Sequence, residues 1–495
     1  MISSRTSRSA PPQGTNDVRP HRRQFVIGPE VVRPDESWAS LAVGDAKLSY
    51  STALPISRVE DREGHAWHLL GLPFQSDPGR PDPADEVAAS TTRDVPARVE
   101  DWFGRWILLG EGTLQMDACG TLGCFYRRVG SEFWVSSSPA LLATLPGRPR
   151  AKPIPAPPRG TTLLDWCPAP QSRFEGISRL FPSQILDLAS GVIMPRPLLS
   201  DLSFGGYEET LDFLETRLVT AVRNLARSDT ELWIPLTAGN DSRLVLAAAV
   251  RSGVKVTAYT SRQDFLPMSF ADRQLPPNLA RAVGVRHVVV RRSAPVPERS
   301  AIFDEHMGEV FPGWNRNSFL RRHWDGFPRS SFILPGGGFE LGRCHYHRRL
   351  QGPGSKLERV VTAFSLDPEQ PGHAHCMTGF SEWLDWTEAA PAPRLDWRDR
   401  MYLEQRIGAW ISSQELAHDL VEPERGHICN SRAVISALVS IPEAVRCDSV
   451  HHTALIARMA PELLAYPFNP PDPVWVRWTK RARRRVDRSV ERISR

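Results

Sequence analysis

The rhythm of apolar and polar positions changes partway along the chain. From Phe25 to about Leu145, short apolar runs alternate with Gly, Asp and Ser turns, which predicts a β-rich region. Its clearest part runs from Trp102 to Leu142. There Trp106–Leu109, Thr113–Met116, Cys124–Tyr126 and Phe133–Val135 read as successive strands, with turns at Gly110–Gly112, Asp117–Gly123 and Val129–Ser131. Pro146–Pro158 is a Pro/Arg-rich connector. Tyr207–Leu225 then places Leu211, Leu214, Leu218, Val222 and Leu225 at helical spacing.

From Trp233 onward, strands and helices alternate. Trp233–Leu236 is an apolar strand, followed by a turn of small residues and a helix ending near Gly253. Val254–Thr260 reads as the next strand, a helix through Leu279 ends at Gly284, and Val285–Val290 is a third strand. Phe332–Leu334 is another. Such alternation predicts a doubly wound parallel sheet, whose ligand crevice lies at the carboxyl ends of the strands. Met401–Asn469 reads as helical, with segments at Tyr402–Trp410, Ser431–Ser440 and His451–Met459.

The chain therefore divides into a disordered tail (1–24), a β-rich domain with its connector (25–195), an α/β domain (200–470) and a basic tail (471–495). Its 495 residues, 41% hydrophobic, are enough to bury sizeable cores in two domains. The formal charge of +5 hides an uneven distribution. Arg477–Arg495 holds nine basic residues against Asp487 and Glu491, a net of +7, and Met1–Arg23 holds five against Asp17, a net of +4. The remainder is near −6, so a basic body for nucleic acid is not expected, and the tail is the candidate contact for an anionic surface. No apolar run approaches the ~20 residues of a bilayer span, and the N-terminus lacks a signal peptide's apolar segment. Seven cysteines without a CxxC pair argue for a reduced, cytoplasmic setting.

Candidate chemistry centres on Thr237-Ala238-Gly239-Asn240-Asp241-Ser242. The N-terminus of a helix carries unpaired N–H groups and the positive end of a dipole, so it can hold an anion. Thr237 and Ser242 add hydroxyls, Gly239 permits close approach, and Asp241 can hold a divalent cation against phosphate oxygens. These residues read equally as a pyrophosphate loop or as an ordinary strand–turn–helix with a good N-cap.

Thr237-x-Gly239-x-Asp241-Ser242 resembles the SGGxDS pyrophosphate loop of the asparagine synthetase family, which includes β-lactam synthetase. Thr237 stands for the usual Ser, and Ala238 for the first Gly. Phe332-Ile333-Leu334-Pro335-Gly336-Gly337-Gly338-Phe339-Glu340-Leu341-Gly342-Arg343 resembles the family's LSGxGxDE loop, with Glu340 for the commoner Asp. In the β-rich part, Asp117, Gly120, Phe125, Tyr126, Phe133–Ser137, Leu141 and Leu142 resemble the end of the family's N-terminal domain. Phe174–Ser183 with Ile185–Leu188 resembles its final hairpin, and Asn430-Ser431-Arg432 a late segment.

The resemblance implies an α/β protein. Its N-terminal part would be a degenerate Ntn-type, glutaminase-like sandwich, and its C-terminal part an ATP-pyrophosphatase domain of the adenine nucleotide alpha hydrolase type. Glutamine-using members free a cysteine at the mature N-terminus; here Ile2 follows Met1 and the first cysteine is Cys119, so glutamine hydrolysis is not expected. The implied activity is an ATP- and magnesium-dependent ligase that adenylates a carboxylate and passes it to an amine. Thr237, Ala238, Gly239, Asn240, Asp241 and Ser242, with Gly336, Gly337 and Gly338, would bind ATP and pyrophosphate. Asp241 and Glu340 would hold Mg2+, and Lys480, placed by position alone, would stabilise the acyl-adenylate reaction. Two alternatives stay open: a non-catalytic homologue that binds nucleotide or a partner protein, and a tRNA-directed pyrophosphate-loop enzyme.

Other constellations are discounted. Cys344-His345-Tyr346-His347 and His373-Ala374-His375-Cys376 lack the paired arms of a zinc site. GxxxxGK[ST] and GxSxG are both missing.

Overall fold

The computed structural model describes residues 18–154, 166–226, 230–262, 270–291, 297–308, 327–328, 331–370, 372–421, 423–476 and 478. The first half is built on strands, with short helical segments at Pro83–Ala88, Val95–Arg98, Val99–Asp101 and Pro139–Ala143. Its strands are β1 (Phe25–Gly28), β2 (Trp38–Val43), β3 (Ala46–Ser51), β4 (Ile56–Glu60), β5 (Ala66–Gln75) and β6 (Trp102–Gly110). They are followed by β7 (Thr113–Met116), β8 (Phe125–Val129), β9 (Glu132–Ser136), β10 (Ile177–Arg179), β11 (Gln184–Asp187) and β12 (Ile193–Pro195). Two six-stranded antiparallel sheets result, ordered β10-β8-β9-β1-β3-β2 and β12-β11-β7-β6-β5-β4.

Period-two alternation explains how the sheets pack. Ile107 and Leu109 of β6 point inward with Leu70, Leu114, Met116 and Leu186, and meet Phe25, Ile27, Leu48 and Val135 of the other sheet. Trp102, Trp106 and Leu108 occupy the opposite face of β6, against Val87, Val95 and Val99.

The second half is built on a five-stranded parallel sheet. Its members are β13 (Glu231–Pro235), β14 (Val256–Arg262), β15 (Arg286–Arg291), β16 (Ser331–Ile333) and β17 (Glu424–Arg425), ordered β15-β14-β13-β16-β17. The chain adds β14 and β15 on one side of β13, then returns to place β16 on the other. The gap between β13 and β16 is thus a topological switch point, where ligands of open α/β sheets bind. Leu232 and Ile234 face a core made by the helices Tyr207–Leu225, Asn240–Ser252, Arg432–Ser440 and Val450–Met459. Trp233 faces the other way, with Tyr259, Val290 and Ile333.

Two expectations need correction. The tail expected through Gln24 is packed at its end: His21, Arg23 and Gln24 are buried, and Arg22 donates to the Asp419 carbonyl (2.7 Å). Ion pairing with a carboxylate-rich neighbour outweighs the polar composition of that segment. The stretch Met401–Asn469 is not wholly helical, because β17 lies within it, paired with β16. Tyr402–Ile411 within it winds as a π-helix.

Buried polar links join the two halves. Asn430 donates to the Gly104 carbonyl (2.6 Å) and to Asp117 Oδ1 (2.9 Å), and accepts from the Cys119 N–H (2.9 Å). Arg105 grips Asp419 through both carboxylate oxygens at 2.8 Å. All seven cysteines are free thiols, and no helix among the described residues is long and apolar enough to cross a membrane.

Candidate functional site

β13 and β16 run parallel and in register, Glu231 opposite Ser331 and Trp233 opposite Ile333. The segments that follow them therefore leave the sheet side by side. The glycine loop approaches so closely that a Cβ on Gly336 would lie 2.7 Å from both the Asp241 carbonyl carbon and the Ser242 nitrogen. Only glycine fits there without movement of one loop. Gly338 lies against Cys429 in the same way and holds φ at +103°.

Much of the first loop's polar capacity is satisfied internally. The Thr237 N–H donates to Ser242 Oγ (3.1 Å), the two hydroxyls are 2.9 Å apart, and the Gly239 N–H donates to Thr237 Oγ1 (3.1 Å). The Ala238 N–H donates to Asp272 Oδ1 (2.8 Å), and its methyl is buried. The bend is thereby set before any ligand arrives. Gly239 stands at the N-cap of the helix Asn240–Ser252 and provides no capping side chain. The N–H groups of the first turn are the donors left for an anion.

Arg243, fully buried, anchors the loop from behind. It donates to the carbonyls of Leu463 (3.1 Å), Tyr466 (2.7 Å), Ala238 (3.2 Å) and Pro467 (3.0 Å), and its guanidinium lies 3.9 Å over the Phe468 ring.

Both acidic residues already have protein partners. Asp241 is held by Arg343 in a bidentate pair, Nε to Oδ1 at 2.9 Å and Nη2 to Oδ2 at 2.6 Å, while His452 Nε2 faces Oδ1 at 3.4 Å. Burial pushes the Asp241 carboxyl up, but His452 and the Arg343 guanidinium outweigh it and hold it below the ordinary value. Behind it, His452 Nδ1 lies 2.8 Å from His451 Nε2. Burial and then His452 push His451 down to about 3, so His451 is neutral. Glu340 Oε2 accepts from the Gly338 N–H (2.9 Å) and the Tyr402 hydroxyl (2.7 Å).

These carboxylates do not fit a magnesium site as they stand. A cation at Asp241 would have to displace, or sit against the positive charge of, a bidentate guanidinium, and Oε2 of Glu340 is already taken by two donors. Among the described residues, no group of three or more His, Cys, Asp or Glu side chains is arranged to hold a metal ion.

The sequence-selected residues Thr237–Ser242 and Gly336–Glu340 therefore lie together at the switch point. Lys480 lies outside the described residues. Arg343, His452, Tyr402 and Arg243 were not singled out by sequence. Arg343 closes the glycine-loop segment, and His452 is half of a paired histidine in an apolar helix, but nothing local to either says what it pairs with.

No protein family and no curated protein matches the chain. Solved structures similar to it include glutamine phosphoribosylpyrophosphate (PRPP) amidotransferase from B. subtilis complexed with ADP and GMP. That match is 9% identical with a TM-score of 0.22, and covers 54% of this chain and 59% of the other. The chain thus spans less than two thirds of that protein's length. A structure of the allosteric regulatory enzyme of purine biosynthesis matches at 9% identity and TM-score 0.22, over 63% of this chain and 68% of the other. At these scores neither likeness carries an argument.

Proposed function

We propose that the switch-point crevice binds the polyphosphate of ATP, and that the chain is an AMP-forming carbon–nitrogen ligase of the asparagine synthetase type. A substrate carboxylate attacks the α-phosphorus, pyrophosphate leaves, and an amine displaces AMP from the acyl-adenylate. The observation that carries this reading is the contact of Gly336 with the Asp241–Ser242 backbone, which brings two loops far apart in sequence to one crevice. The first-turn N–H groups at Asn240–Ser242 would stabilise charge building on the departing pyrophosphate.

In this reading the antiparallel sandwich is a retained Ntn-type scaffold. Cys119 is buried, and burial with neighbouring Cys429 pushes its thiol well above the ordinary value, so it offers no thiolate for glutamine hydrolysis. The nucleophile is then a substrate amine or free ammonia.

The test is ATP–pyrophosphate exchange across a panel of carboxylic acids, with Gly336→Val as the variant that separates the loops. Acid-dependent exchange in the wild type, lost in the variant, supports the ligase. A second reading, nucleotide binding without catalysis, is favoured by the commitment of both Asp241 oxygens to Arg343. Nucleotide binding without exchange for any acid would support that one.

A further inference from the structure

The resemblance asks for a metal between Asp241 and Glu340, and the side chains give a different answer. Building on the polyphosphate reading above, we infer that Arg343 supplies at this crevice the positive charge that a paired-carboxylate site would take from a divalent cation, so that polyphosphate binds without metal.

Three observations carry this. First, Arg343 faces Asp241 through Nε and Nη2, the bidentate geometry in which a planar guanidinium pairs with both oxygens of a carboxylate. Asp241 is then neutralised in place, and a cation at either oxygen would sit against the guanidinium's positive charge. Second, Glu340 is turned onto its own loop and onto Tyr402, whose ring is buried, through Oε2, so protein donors already orient the second carboxylate. Third, the Arg343 side chain keeps about a quarter of its surface exposed (25%), against 15% for Asp241. Its Nη1 group is not used on Asp241, and Asp241 itself lies in the first turn of the helix Asn240–Ser252, whose N-cap Gly239 brings no capping side chain.

Arg343 is therefore a binding residue oriented by Asp241. The carboxylate that would hold a metal instead fixes the guanidinium, and His452 with His451 backs that carboxylate from the buried side. A guanidinium cannot lose its proton at neutral pH, so the charge is permanent and insensitive to metal supply.

The experiment is calorimetric titration of inorganic pyrophosphate, and separately of ATP, into the full chain in EDTA and in magnesium. The wild type is expected to bind in EDTA within about threefold of its affinity in magnesium. Arg343→Gln is expected to lose at least about tenfold in EDTA, while Arg343→Lys, which keeps the charge, loses less. Wild-type binding that appears only with magnesium would overturn this inference and leave the polyphosphate crevice standing. Failure to bind in either buffer would overturn the crevice reading and this inference with it. The wild-type comparison needs no variant, so it decides the matter even where Arg343→Gln fails to fold.

Discussion

Gly336 packs against the main chain of Asp241 with no room for a side chain: a methyl group there would come within 2.7 Å of the Asp241 carbonyl carbon. This contact holds together two loops that leave adjacent parallel strands. Gly336→Ala is expected to push the loops apart, at a cost of about 1–3 kcal/mol in stability. ATP affinity should fall by about tenfold or more. Denaturant unfolding and calorimetry on the same preparation check both; unchanged affinity would mean that the contact is structural only.

Arg243 fastens the first loop to the segment Leu463–Phe468 through four carbonyls. Arg243→Lys keeps the charge but not the planar fork, and leaves buried carbonyls without donors. The expected loss is about 2 kcal/mol, read from the urea midpoint. A loss no larger than that of an exposed Arg→Lys control, such as Arg93→Lys, would contradict this account.

Asn430 is the buried joint between the sandwich and the parallel-sheet half. Asn430→Ala would strand the Gly104 carbonyl and remove a partner from Asp117, at about 2–3 kcal/mol. Differential scanning calorimetry is the measurement, and the two halves are expected to separate into distinguishable transitions. A single transition at the wild-type temperature would sink the claim.

His306 titrates against stability. Burial, with His21 beside it, pushes its pKa down to about 4, below the 6.5 of an unhindered histidine. Its ring bonds the Leu416 carbonyl at 2.7 Å and Gln24 at 3.3 Å. The folded state therefore binds fewer protons than the unfolded one between these two values. Stability is full above about pH 6.5 and falls as pH drops toward 4, by about 1–2 kcal/mol for this group at pH 5. His306→Gln should flatten that decline between pH 7 and 5 in urea titrations; parallel slopes for the two proteins would contradict the assignment.

The antiparallel and parallel portions were both legible in the pattern, for a plain reason. Strands such as Trp106–Leu109 and Leu232–Ile234 carry their burial in their own residues, and the helix Tyr207–Leu225 carries its face at regular spacing. Glu424–Arg425 was not legible as β17, since two charged residues have no strand signature and are strand only through pairing with Phe332 and Ile333. The site divides in the same way. Thr237–Ser242 and the glycines announce a turn in their own composition. The Arg343–Asp241 pair spans 102 residues, and only the fold shows that these charges are spent on each other.

The central claim is that one crevice, at the β13–β16 switch point, takes the polyphosphate. Hydrogen–deuterium exchange of the full chain with and without saturating ATP tests it most directly. The account predicts slowed exchange in peptides covering Thr237–Leu244 and Gly336–Arg343 together, with the antiparallel sandwich unchanged. Protection confined to other segments, or none at saturating ATP, would contradict it.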